Sequence, residues 1–127
     1  MTAIGGYAVL LTNKRLSNSV AGDIVETHAT VADAVDVADG SATDAIGIFL
    51  DSGVADGGEA WVVVAGIADV HMDADGCAVH NRIITSVTPG RGDVSNTPAV
   101  GVHFQEIGHA IEVAAANANA RCVIHFL

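Results

Sequence analysis

Six histidines, two cysteines and fifteen carboxylates are the residues of this chain with the most reactive chemistry. His71 and His80 flank a turn that carries Asp73, Asp75 and Cys77. Zinc accepts such donors, but zinc ligands recur at short, repeated spacings, and these do not. His103 and His109 are six apart across Gly108, which matches no helical ligand pair. His125 follows Val123-Ile124 and reads as a strand residue. Asp73-Ala74-Asp75-Gly76 opens like a calcium loop, yet Ile84 stands where the bidentate Glu belongs. It reads instead as a turn, with Asp-Gly favouring a hairpin. No metal ligand and no cofactor-binding residue is assigned.

Nucleophilic and phosphate chemistry fare no better. No Ser, His and Asp are arranged around a nucleophile elbow. No Gly-rich run has the form that cradles phosphates before a Lys, and Val20-Ala21-Gly22-Asp23 is a turn. Arg91-Gly92-Asp93 is the adhesion tripeptide, but it lies in the turn-rich segment Pro89 to Pro98, expected to be an exposed loop rich in such residues. Cys77 and Cys122 form no CxxC pair and read as small buried hydrophobes. The chain therefore reads as a protein without an active site, and no catalytic residue is assigned.

Charge narrows the partners. Five Lys and Arg face fifteen Asp and Glu, a formal charge of -10. Nucleic-acid binding needs clustered cations that release counterions, and Lys14, Arg15, Arg82, Arg91 and Arg121 are scattered. Nucleic acid and anionic membranes are excluded as partners on this ground. Many Asp and a single Lys suit a saline medium, where screening weakens self-repulsion. The N-terminus has no basic segment before a long apolar run, so no signal peptide is expected. The longest apolar run, Ala60 to Ala68, falls far short of the roughly 20 residues that span a bilayer.

The elements that must hold these residues are strands. The chain has 127 residues and is expected to form a single β domain, 1–127. Half of it is hydrophobic but only 4% is aromatic, so the core is built from Val, Ile, Leu and Ala. Alanine contributes little buried area, and a lean core suggests support from subunit contacts. Strands are expected at Tyr7–Leu11, Gly22–Glu26, Ala34–Val37, Ile46–Leu50, Trp61–Val64, Ile67–Met72, Arg82–Thr85, Val100–Phe104 and Cys122–Phe126. Trp61, in the strongest of them, is expected in the core. Glu112 to Ala120 reads as a loop with a helical turn.

Two stretches match each other. Ile46-Gly47-Ile48-Phe49-Leu50-Asp51 aligns with Ile107-Gly108-His109-Ala110-Ile111-Glu112, and the same register carries Trp61-Val62-Val63 onto Cys122-Val123-Ile124. Each unit is a strand kinked at a Gly, a small-residue loop and a second strand; the Gly permits a bulge or a close backbone approach. The expected fold is all-β: a small β-barrel or sandwich with two similar hairpin units and little helix. Residues 1–6 have no charge and adjacent glycines, and are expected to form a flexible N-terminal arm.

The run from Ala45 to Ala68, with Gly22-Asp23-Ile24-Val25, His103 to Glu112 and Val123 to Phe126, resembles the capsid-cement-like family of tailed-phage heads. The resemblance covers most of the chain except Asp73 to Pro98. It implies a barrel or sandwich that trimerises on the outside of a capsid, and it supplies no catalytic residues. The expected function is therefore structural: a head decoration protein that binds the capsid surface as an oligomer and stabilises it. Its partners would be the major capsid protein and itself, as a homotrimer, with localisation on the virion and in the host cytoplasm during assembly. Thr2, Ala3, Ile4, Gly5 and Gly6 are the expected capsid-binding residues, added as a strand to a sheet edge. The alternatives are another virion component (tail, spike or carbohydrate-binding module) and a small trimeric hydrolase. Sugar binders usually expose aromatics, and the hydrolase lacks its phosphate cradle here.

Overall fold

The computed structural model describes residues 3–97 and 100–126. Nine strands form one continuous sheet: β1 (Gly6–Asn13), β2 (Ile24–Thr27), β3 (Ala34–Val37), β4 (Ala45–Phe49), β5 (Glu59–His71), β6 (Arg82–Thr85), β7 (Gly92–Val94), β8 (Glu106–Ala110) and β9 (Asn119–Ile124). Their order is β1-β3-β2-β4-β5-β9-β8-β6-β7, and a further β1–β5 pairing closes the first five strands into a barrel. The all-β expectation holds, and the barrel is its main feature. The long strand β5 joins the layers: its first half pairs with β1 and β4, its second half with β9.

The sequence repeat is real in three dimensions. Apart from β1, the order is palindromic, with β3-β2-β4-β5 mirrored by β7-β6-β8-β9. In the first unit Val25 pairs with Gly47 and Glu26 with Ala45, so Ile46 is a bulged extra residue. In the second, Ile83 pairs with Gly108 and Ile84 with Glu106, so Ile107 is the bulge. The glycine that follows each bulge has a reason. A Cβ on Gly47 would fall on Val62, and one on Gly108 on the Val123 carbonyl oxygen. Each glycine thus lets the bulged strand approach its hairpin partner.

Two apolar clusters divide the interior. Val25, Val35, Phe49, Ala60 and Val62 fill the barrel. Ile24, Ile48 and Val63, on the barrel's outer face, pack with Val70, Met72, Ile83, Ile107, Cys122 and Ile124. The second cluster exists because strands alternate their faces: Val62 points into the barrel and Val63 out of it.

Three expectations are corrected. Val100–Gln105 is a 3-10 helix, not a strand, because both edges of β6 are already taken, by β7 and β8. The segment from Pro89 contains β7, so Gly92 and Asp93 of the adhesion tripeptide are paired with β6 and Gly92 is buried. The tripeptide is therefore not displayed on a loop. Trp61 is 45% exposed, because its position in β5 points out of the barrel beyond the edge of the second cluster. Cys77 and Cys122 are free thiols, and burial pushes Cys122 up to about 12.

Candidate functional site

The expected arm is divided by the sheet. Thr2 lies outside the described residues. Ala3 and Ile4 precede β1, and Ile4 is 86% exposed. The Gly5 carbonyl accepts a hydrogen bond from the Ile67 amide at 2.7 Å, and Gly6 pairs with Gly66. A Cβ on Gly66 would fall on Gly6 Cα, so this crossing of β1 over β5 requires glycine. Gly6 is thus the first residue of β1 and Gly5 is tied to β5 through its carbonyl, so Ala3 and Ile4 are the described residues that precede this anchoring.

Beside them lies an apolar surface that sequence reading missed. Leu50 donates its amide to the Trp61 carbonyl at 2.9 Å, and Trp61 pairs with Leu10 across β5 and β1. These three side chains form a cross-strand row on the outer wall of the barrel, exposed by 53%, 45% and 44%. Two residues further along the same strands sit Ile48, Val63 and Ala8, of which the first two are core. The row is thus the second core cluster running out into solvent, with nothing described on top of it. A cavity of 350 Å³ adjoins it, lined by Ile4, Tyr7, Leu50 and Ile67, with Asp69 and Arg121 at its polar side. Exposed contiguous apolar surface of this kind marks interaction sites. The sequence held one signal for it: Leu50 directly follows β4 and precedes Asp51, and Trp61 is the third residue of β5, two after Glu59, where burial gives way to loop.

Among the described residues, the Asp23 carboxylate lies 2.9 Å from both Arg15 Nη1 and His71 Nδ1, and titratable residues gather in three further places. Asp73, Asp75 and Asp93 lie close together. Asp73 accepts from the Asp75 amide at 3.0 Å and from Ser86 Oγ at 2.7 Å. Burial and the neighbouring Asp73 and Asp75 push the Asp93 carboxyl up. Glu106, His109 and His125 form a second group. In the third, burial and a carboxyl–carboxyl hydrogen bond to Asp44 raise Glu26 to about 7, against an opposing bond from the Asp39 amide. None of these groups places a nucleophile beside a base.

Glu26 gives a pH dependence with a defined sign. Its folded value of about 7 exceeds the ordinary 4.5, so between these values the folded state holds more protons than the unfolded chain. Stability from this group is complete below pH 4.5 and falls as pH rises through 7. Glu26→Gln, which keeps a donor toward Asp44, removes that loss. Partial exposure reduces the gain at pH 8 to about 1 kcal/mol, or roughly 3 °C in Tm. The variant and the parent melt alike at pH 4.5. Thermal melts at the two pH values check this; equal melting at pH 8 refutes the assignment.

No family model matches the chain, and no curated protein sequence matches it. Among solved structures, the N-terminal base of the gp8.5 head fiber of bacteriophage phi29 superposes with a TM-score of 0.61 at 16% identity, over 94% of this chain and 93% of that one. The match covers nearly the full length of both chains, so the similarity is one of whole fold. This chain has the fold of a phage head-fiber base.

Proposed function

We propose that this protein is a structural component of a tailed-phage head that binds the outside of the capsid as a homotrimer and stabilises it. The observation that supports this reading is the whole-chain fold likeness to a head-fiber base. The exposed row Leu10, Trp61 and Leu50 supplies what such a role requires, an apolar face for a neighbouring copy. The arm through Ile4 extends from the same face toward the major capsid protein. A trimer presents three arms, so weak single contacts add through effective concentration. The protein then resides on the virion surface after a period in the host cytoplasm during assembly.

Deletion of residues 2–4 tests the arm while leaving the Gly6–Gly66 pair in place. Burying Ile4 is worth about 2 kcal/mol per copy, so the truncated protein binds capsids at least tenfold more weakly, by roughly that energy. Co-sedimentation with purified undecorated capsids measures it. Equal retention of full and truncated chains removes the arm from the contact. Absence of full-length protein from the capsid fraction removes the head assignment itself, and recovery with isolated tails points to a tail component.

A further inference from the structure

The second half of the repeat places three metal-binding donors on one face, and we propose that Glu106, His109 and His125 bind a divalent transition-metal ion of the zinc class. In a regular strand, residues 106 and 109 would point to opposite faces. The bulge at Ile107 reverses this: Ile107, Gly108 and Ala110 are buried, while Glu106 and His109 share the outer face. His125 arrives from the end of β9, held because its amide donates to the Ile107 carbonyl at 2.7 Å. The buried Ile124 before it and the core-packed Phe126 after it hold the backbone on either side.

The donor atoms already sit close together. One ligand atom from each residue lies within 4.8 Å of the others. His125 Nε2 is 3.6 Å from Glu106 Oε1, and the two imidazoles are 5.7 Å apart between centroids, tilted by 33°. Around a tetrahedral zinc with bonds of about 2.0–2.1 Å, donors stand roughly 3.3 Å apart. The pair from Glu106 and His125 is near that separation. The remaining closure is a side-chain rotation, which the half-exposed His125 can make without disturbing the core. Two imidazoles and one carboxylate favour zinc-like ions over calcium or magnesium, which prefer all-oxygen shells.

Arg82 Nε lies 3.4 Å from the same Glu106 oxygen and competes for it, which keeps the affinity moderate. The chain's charge of -10 draws cations in. Three protein donors leave a fourth position, and the exposure of His125 directs it toward solvent. The first repeat unit has Ala45, Ile48 and Val64 at the corresponding positions, so the donor set is not a by-product of the repeat. The acidic group at Asp73, Asp75 and Asp93 makes no comparable case, since it has no imidazole and both Asp73 oxygens and Asp93 Oδ1 already serve backbone amides and Ser86.

Calorimetric titration of zinc chloride into the full chain, without a histidine tag, tests the site. One ion binds per chain with a micromolar Kd. His125→Ala and His109→Ala each weaken it by at least about tenfold, and His80→Ala, outside the site, does not. Zinc in about hundredfold excess over Kd raises Tm by roughly 5 to 10 °C in the parent and in His80→Ala. It does not do so in His125→Ala, whose fold is checked by circular dichroism. A parent Kd above about 1 mM overturns the proposal. So does a Kd unchanged in a His125→Ala protein that circular dichroism shows to be folded.

Discussion

Asn13→Ala lowers the melting temperature by about 10 °C, the largest loss expected from any single polar side chain here. Asn13 ends β1 and is completely buried. Its Nδ2 donates to the Ser17 and Val54 carbonyls, both at 2.9 Å, and its Oδ1 accepts from the Arg15 amide at 3.1 Å. Its own backbone bonds Gly58 and Gly57. One side chain thus ties the loop after β1 to the loop before β5 at the end of the barrel. Alanine removes three hydrogen bonds: it leaves the Ser17 carbonyl and the Arg15 amide unpartnered, while the Val54 carbonyl keeps the Ser19 amide at 2.8 Å. At about 1 kcal/mol or more each, the loss is roughly 3 kcal/mol, which corresponds to the stated shift for a chain of this size. Asn13→Asp is also destabilising, since it keeps the acceptor but loses both donors. Thermal unfolding followed by circular dichroism measures the change. A shift below about 2 °C would mean that the loops are held by other contacts.

If the proposed trimer and capsid contact use this apolar row, Trp61→Asp dissociates the trimer and abolishes decoration while leaving the protomer folded. Trp61 is nearly half exposed at the centre of the row formed with Leu10 and Leu50, so the substitution leaves no cavity in either core cluster. Burying the remaining exposed part of an indole, on the order of 100 Å², contributes about 2.5 kcal/mol per copy at 25 cal/mol per Å². A carboxylate in its place adds a desolvation penalty on a protein already at -10. The combined effect is at least about a hundredfold per contact. Val87→Asp is the control: Val87 is 80% exposed and belongs to neither the row nor the cavity. Light scattering gives the assembly state and co-sedimentation the capsid binding. A parent protein that is monomeric at micromolar concentration removes the trimer. A Trp61→Asp protein that assembles and decorates like the parent moves the interface elsewhere.

The strands were legible because their signal is local. Ile24-Val25, Ala34 to Val37 and Arg82 to Thr85 carry β-branched residues between turn residues, and each forms a strand close to its expected bounds. The repeat was legible for a related reason: Ile46-Gly47 and Ile107-Gly108 record the same local device, a bulge followed by a glycine that admits the neighbouring backbone. The strand β7 was not legible. Gly92-Asp93-Val94 has no apolar pattern, and it is a strand only because β6 offers it an edge. Conversely, Val100 to Phe104 has the pattern and is a 3-10 helix, because both edges of the neighbouring β6 are already paired.

The sequence by itself determined the acidic surface, the aliphatic core, the strand content and the duplication, since composition and short-range periodicity act within a few residues. Tertiary structure alone decided which residues meet. The β1–β5 pairing closes the barrel and puts Leu10 beside Trp61, 51 positions apart in the chain with no periodicity that announces it. It turned Trp61 outward, because a strand position is buried or exposed according to what covers its face. It brought His125 to Glu106 and His109, because cross-strand neighbours follow from register, and a single bulged residue reverses every face beyond it.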